Sequence, residues 1–197
     1  MGLSTSFMIR LELMNLNKFI NNNNIFNTII TIHAFLMIFM MTMPMIISSF
    51  SNWFIPLMMN FNDMMFPRLN NMSFWMLLPS MMLMMFSMMI NNSINTGWTL
   101  YPPLSINNNM SLNFIIFSLH LNSLSSIMSS MNFLITMFNY KLMMSMNFLT
   151  LFIWSILITS ILLMISLPIL SSAITMIIFD FNINTSFFNP LGNGDPI

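Results

Sequence analysis

Three stretches of this chain contain no acidic or basic residue: from Lys18 to Asp63, from Arg68 to Lys141 and from Lys141 to Asp180. Each can hold the ~20 apolar residues that cross a bilayer as a helix, and together they call for at least four spans. Charged residues make up 4% of the 197 positions, against about 25% in soluble domains, and the mean hydropathy is +0.82. The fold class expected is therefore an all-α polytopic membrane protein, with the lipid bilayer as its first partner and no nucleic acid.

The chain has no cysteine, which excludes disulfides and thiolate metal sites. Any metal must be held by histidine, methionine or carboxylate, and His33 and His120 are the only histidines. The 29 methionines occur in runs such as MMLMMFSMM, at positions where other aliphatic residues would pack equally well. Together with the many asparagines they suggest an AT-rich genome of the mitochondrial kind. The start, MGLSTSFMIRLEL, shows neither a secretory signal nor a transit peptide. The Asn-x-Ser/Thr triplets at Asn71, Asn91, Asn109 and Asn184 are expected by chance in so asparagine-rich a chain.

The chain reads as one transmembrane domain, 1–197, with spans at about 26–59, 70–90, 112–140 and 148–179. Residues 1–13 resemble the end of an apolar helix, closed by Arg10 and Glu12, and too short to span at 1.5 Å per residue. The first span is longer than one bilayer requires, so tilt or a protruding end is expected. Pro168 is expected to kink the last span. Gly97, Pro102 and Pro103 mark an interfacial loop in which Trp98 and Tyr101 suit the headgroup level. Arg68 and Lys141 fall on one side and Arg10 and Lys18 on the other, so the positive-inside count is a tie.

Polar groups inside these spans are costly and usually face the bundle interior. His33 reads either as a metal or heme ligand or as a packed hydrogen bonder. His120, in FSLHLNSLSS, has hydroxyl and amide groups near it in sequence and reads more readily as structural. Asp63 follows Asn52 by eleven residues, about 16 Å along a continuous helix. With Asn70, Ser73, Ser125, Ser126 and Asn132 it can line a file of waters that carries protons. The same residues can equally be polar glue between helices, and spacing alone leaves the two readings open.

The segments HAFLMIFMMTMPMIISSFSNWFIPLMM, DMMFPRLNNMSFW, TGWTLYPPL, FSLHLNSLSSI and NTSFFNPLGNGDPI resemble, in that order, the N-terminal part of the heme-copper oxidase catalytic-subunit family, that of mitochondrial cytochrome c oxidase. The resemblance covers essentially the whole chain. It implies part of a twelve-helix bundle in the mitochondrial inner membrane, encoded by the mitochondrial genome. The bundle passes electrons from cytochrome c to oxygen and pumps protons. By this resemblance His33 is an axial ligand of heme a iron, Arg10 hydrogen-bonds the formyl group of heme a, and Trp98 lies near the propionates. Glu12 matches a Ca²⁺ or Na⁺ ligand. Asp63 is the mouth of the D proton channel, with Asn52, Asn70, Ser73, Ser125, Ser126 and Asn132 along it. His120 is not a metal ligand.

Copper B, heme a3 and the second heme a ligand are implied to sit on the family's later helices, beyond GDPI. This implies a split subunit, inactive as an isolated chain, whose remaining fragment or fragments and other oxidase subunits complete the site. The SSFS stretch replaces a glycine-rich segment of the family and adds hydroxyls where helices would approach closely. Two other readings compete. A non-catalytic scaffold copy predicts loss of His33, Arg10 or Asp63, all of which are present. A proton-translocating subunit of another respiratory complex would need lysine or glutamate in mid-span, and no span has either.

Overall fold

The computed structural model describes residues 1–14, 19–20, 22–90, 94, 96–102, 104–106, 110–141 and 149–195. The loop run at 15–18, Pro103, the triplets beginning at Asn91 and Asn109, the expected start of the last span at Phe148 and the final Pro196 and Ile197 lie outside them. The described elements are helical: α1 (Gly2–Met14), α2 (Asn23–Phe35), α3 (Ser51–Met59), α4 (Pro67–Met89), α5 (Met110–Lys141) and α6 (Leu151–Asn182). Two π-helical segments, Leu36–Thr42 and Pro44–Phe50, carry α2 into α3. Four stretches, Asn23–Met59, Pro67–Met89, Met110–Asn139 and Leu151–Asn182, are long and apolar enough to cross a membrane.

The boundaries have local causes. Asn22 caps α2 by accepting the Asn24 amide at 3.1 Å, which satisfies one of the donors a helix start leaves free. Asn60, with φ 55°, ends α3 in the left-handed conformation that asparagine tolerates. Pro67 opens α4 at its first turn, where a missing N–H costs nothing; the helix therefore starts three residues before the Asn70 expected from hydropathy. Pro168 lies inside an uninterrupted α6. The hydroxyls of Thr42, in the first π segment, and of Ser51, just after the second, donate five residues back, to the carbonyls of Met37 (2.7 Å) and Ile46 (3.3 Å), the spacing of π-type bonding.

α5 is the central helix. Over half of its spanning window, 56%, is buried, against 17–22% for the other three spans. Ile115, Ile116 and Leu119 pack with Ile32, Phe35, Met84 and Ile174 in one core, and Phe133 and Met137 pack with Ile55, Ile153 and Ile156 in another. The α4–α5 contact is a serine seam. Ser73, Ser80 and Ser87 recur every seventh residue on α4, as do Ser111, Ser118, Ser125 and Asn132 on α5, and all are buried. Ser80 Oγ donates to the Ser118 carbonyl and Ser125 Oγ to the Ser73 carbonyl, each at 2.7 Å. Asn132 closes the end of the seam by pairing with both the N–H and the C=O of Phe66, at 3.1 and 3.3 Å. The antiparallel register is thus continuous, and Ser87 falls opposite Ser111. A seven-residue repeat of small residues lets two backbones approach along one stripe.

At the far end of α6, Asp180 is 5% exposed. Its carboxylate accepts from the Phe187 and Phe188 amides, both at 2.9 Å, and from the Thr185 hydroxyl at 2.5 Å. Gly194 passes so close that an added Cβ would clash with the Ser186 carbonyl oxygen. Asp180→Ala strands all three donors. We expect a loss of about 2 kcal/mol or more, read as faster proteolysis within 183–195 at an unchanged helical content; unchanged proteolysis would show that the carboxylate does not hold this segment.

Candidate functional site

Two polar constellations lie in the apolar frame. The first is centred on His33, near the end of α2 and half-buried. α1 packs against α2 and brings Gly2 and Thr5 to the imidazole. His33 Nδ1 lies 3.1 Å from the Gly2 carbonyl oxygen and 2.9 Å from Thr5 Oγ1. Thr5 Oγ1 itself donates to that carbonyl, at 2.8 Å. A carbonyl only accepts, so Nδ1 carries the hydrogen, and the tautomer is set by this contact. Nε2 is then the lone-pair nitrogen. His33 lines a cavity of about 520 Å³ together with Gly2, Leu36, Met37, Met40 and Met81. One ring nitrogen is thus fixed as a donor and the other keeps its lone pair, a pattern in which an imidazole can take a metal. Among the described residues no group of three or more His, Cys, Asp or Glu side chains is placed to hold a metal ion.

The second constellation lies where α3, α4 and α5 meet. Asn52 Nδ2 donates to Asn70 Oδ1 at 3.0 Å. Ser73 Oγ donates to the Asn70 carbonyl at 2.7 Å, and Ser125 reaches the Ser73 carbonyl. The structure thus joins Asn52, Asn70, Ser73 and Ser125 in one hydrogen-bonded row, with Asn132 fastened to the α4 start beside it. Ser126 turns to its own helix, donating to the Asn122 carbonyl at 3.0 Å. Asp63 is exposed in the turn between α3 and α4. Asn52 Oδ1 is buried and has no hydrogen-bond partner among the described residues, so the row keeps one unmet acceptor on the side toward α3. The Asn52–Asn70 and Ser125–Ser73 bonds fasten one helix to another.

The remaining candidates are placed as follows. Arg10 is exposed on α1 and Trp98 is exposed in the loop before α5. Glu12 Oε2 accepts from the Phe19 and Ile20 amides at 3.0 and 2.9 Å, which ties the chain after α1 back onto that helix. The hydroxyl and amide neighbours expected to serve His120 do not serve its ring: Ser123 Oγ donates to the His120 carbonyl at 2.8 Å, and Nε2 is buried with no partner among the described residues. A side chain at i+3 on a helix reaches back to the backbone more easily than to the ring of residue i. Two contributors were missed at the level of sequence. Thr5 lies 28 residues before His33 and carries no local signal. The seven-residue serine repeat was visible in the letters.

The whole chain, residues 1–197, matches the family model described as Cytochrome C and Quinol oxidase polypeptide I. It is 44% identical over 202 residues to cytochrome c oxidase subunit 1 of Eremothecium gossypii, with 100% of this chain and 38% of that protein covered. It is 42% identical to the same subunit of Pecten maximus over 201 residues, covering 100% of the chain and 42% of the relative. The subunit of Candida albicans is also 42% identical, over 98% of the chain and 37% of its own length. A polytopic helical membrane protein is the class that four helices long and apolar enough to cross a bilayer define. The chain belongs to the cytochrome c and quinol oxidase polypeptide I family, and it spans about two fifths of the length of the curated relatives it matches.

Proposed function

We propose that this chain supplies one axial ligand of heme a and the entry part of a proton path to a cytochrome c oxidase of the mitochondrial inner membrane. The observation that carries this reading is the His33 contact: Nδ1 hydrogen-bonded by Gly2 and Thr5, and Nε2 basic at the wall of a cavity of about 520 Å³. A low-spin heme held by two imidazoles supplies reversible one-electron transfer. His33 would provide one imidazole, and another part of the oxidase the second. Thr5 and Gly2 hold the ring orientation. The methionine and leucine lining excludes water from the ligand bond. Arg10 and Trp98 are proposed, by family resemblance, to meet the periphery of the macrocycle, and Glu12 a Ca²⁺ or Na⁺ ion.

In the proton-path part of this reading, Asp63 collects protons from the aqueous side and Asn52, with its unmet Oδ1, orients the first water past the turn. Asn70, Ser73, Ser125, Ser126 and Asn132 offer further groups along the way. Copper B and heme a3 would be held by other parts of the oxidase, and cytochrome c would reach the site through the assembled complex. The presence of His33, Arg10 and Asp63 together disfavours a non-catalytic scaffold copy.

Purification of the native membrane complex tests the proposal. The chain is expected to comigrate with heme a absorbance; a band with this chain and no heme a would overturn it. A finer test is Thr5→Val, which removes one of the two partners of Nδ1. We expect full heme content and a midpoint potential raised by on the order of 20–40 mV, the one-electron equivalent of about 0.5–1 kcal/mol. Redox titration reads it, and an unmoved potential would remove Thr5 from the site.

A further inference from the structure

The seam between α5 and α6 holds an unmet acceptor that neither the heme ligand nor the proton path uses. Asn122, on α5, is 2% exposed. Its Nδ2 donates to the Phe39 carbonyl at 3.2 Å, within the π-helical segment that follows His33. That contact settles which way the amide points, since a flip would place two oxygens face to face. Oδ1 is therefore directed away from Phe39, and it is buried without a hydrogen-bond partner among the described residues. Buried amide oxygens in folded proteins are nearly always met.

Asn122 lines a small cavity of about 10 Å³ with Phe39, Leu119, Ser123, Ser171 and Ile174. Ser123 and Ser171 each commit their hydroxyl hydrogen elsewhere, to the carbonyls of His120 and Pro168, both at 2.8 Å. Both oxygens retain lone pairs. One amide oxygen around the space lacks a donor, and the two hydroxyl oxygens can accept as well. The matching guest must donate two hydrogen bonds and be no larger than one solvent molecule, because a cavity of this size takes about one. The site has no carboxylate to offset the dehydration of a cation.

We propose that this cavity is a binding site for a single ordered water, which donates to Asn122 Oδ1 and to the hydroxyl oxygen of Ser171. The water joins α5 to α6 through Ser171, and Asn122 joins both to the π-helical segment through Phe39. One amide thereby ties three elements of the bundle. The proposal stands on the cavity and the amide geometry, and holds or fails independently of the heme and proton readings.

A map of the intact native complex, at a resolution that shows other buried waters, tests it. One peak is expected within about 3.2 Å of Asn122 Oδ1. No peak there, while comparable buried waters are seen, would overturn the assignment; so would a peak near 2.4 Å, which is a cation distance. Ser171→Ala removes one acceptor without touching the Phe39 contact and is expected to cut the peak to half its occupancy or less. Asn122→Leu fills the space and is expected to abolish it. A peak unchanged in Ser171→Ala and Asn122→Leu would show that other groups hold it. If Asn122→Leu fails to assemble, the wild-type map and Ser171→Ala carry the test alone.

Discussion

His33→Leu is expected to abolish the low-spin heme a absorbance of the assembled complex and, with it, all electron transfer to oxygen. The substitution removes the imidazole lone pair of a residue that lines the cavity, while leucine fills much of the space of the imidazole and suits the Met and Leu lining. The partners of Nδ1 survive it: Thr5 Oγ1 keeps its own bond to the Gly2 carbonyl, so no new buried donor is stranded. α1 and α2 should therefore stay docked, and the chain should still comigrate with the complex. A variant that keeps its heme a band would place the ligand elsewhere and return His33 to the packed, hydrogen-bonded role that its position in an apolar helix also allows.

Asp63→Asn is expected to reduce turnover and proton pumping at least tenfold, by the general size of effects from removing a positioned proton carrier. Asp63 is exposed in a turn and none of the row from Asn52 to Ser125 depends on it for a hydrogen bond, so the fold should be indifferent to the change. Reduction of heme a in a single turnover should be normal, because electrons do not pass this turn. Asp63→Glu should restore most of the rate. Unchanged pumping in Asp63→Asn would leave the polar row as helix fastening alone, the role its hydrogen bonds already show.

The positions of the four spans were legible because hydropathy is a sum over about twenty residues and tolerates local error. Their edges were less so. The break at FPR was visible, yet the first helical residue after it is Pro67, since proline at a helix start gives up a hydrogen bond that would not have formed. The change from α to π bonding between Leu36 and Phe50 has no signature in hydropathy, because it shifts each bond by one residue without changing which residues are apolar.

The polar residues show the same division more sharply. Their letters alone said that Ser73, Ser125 and Asn132 would face inward, as intramembrane polar groups do. The antiparallel pairing of two seven-residue repeats decided that Ser125 meets Ser73 and Asn132 meets Phe66. His33 could be singled out from the sequence as a ligand candidate; that its Nδ1 is the donor follows only from α1 folding back to set Gly2 and Thr5 beside it.

Composition and charge spacing thus determined that this chain crosses a membrane as helices, because burying charge in hydrocarbon is prohibitive wherever the chain turns. Motif order determined the family. Tertiary structure decided which nitrogen of His33 is free, which serines fasten which helix, and that Asn122 has an oxygen left over. A hydrogen bond is directional over about 3 Å, and residues far apart in sequence come within that distance only once the helices have packed.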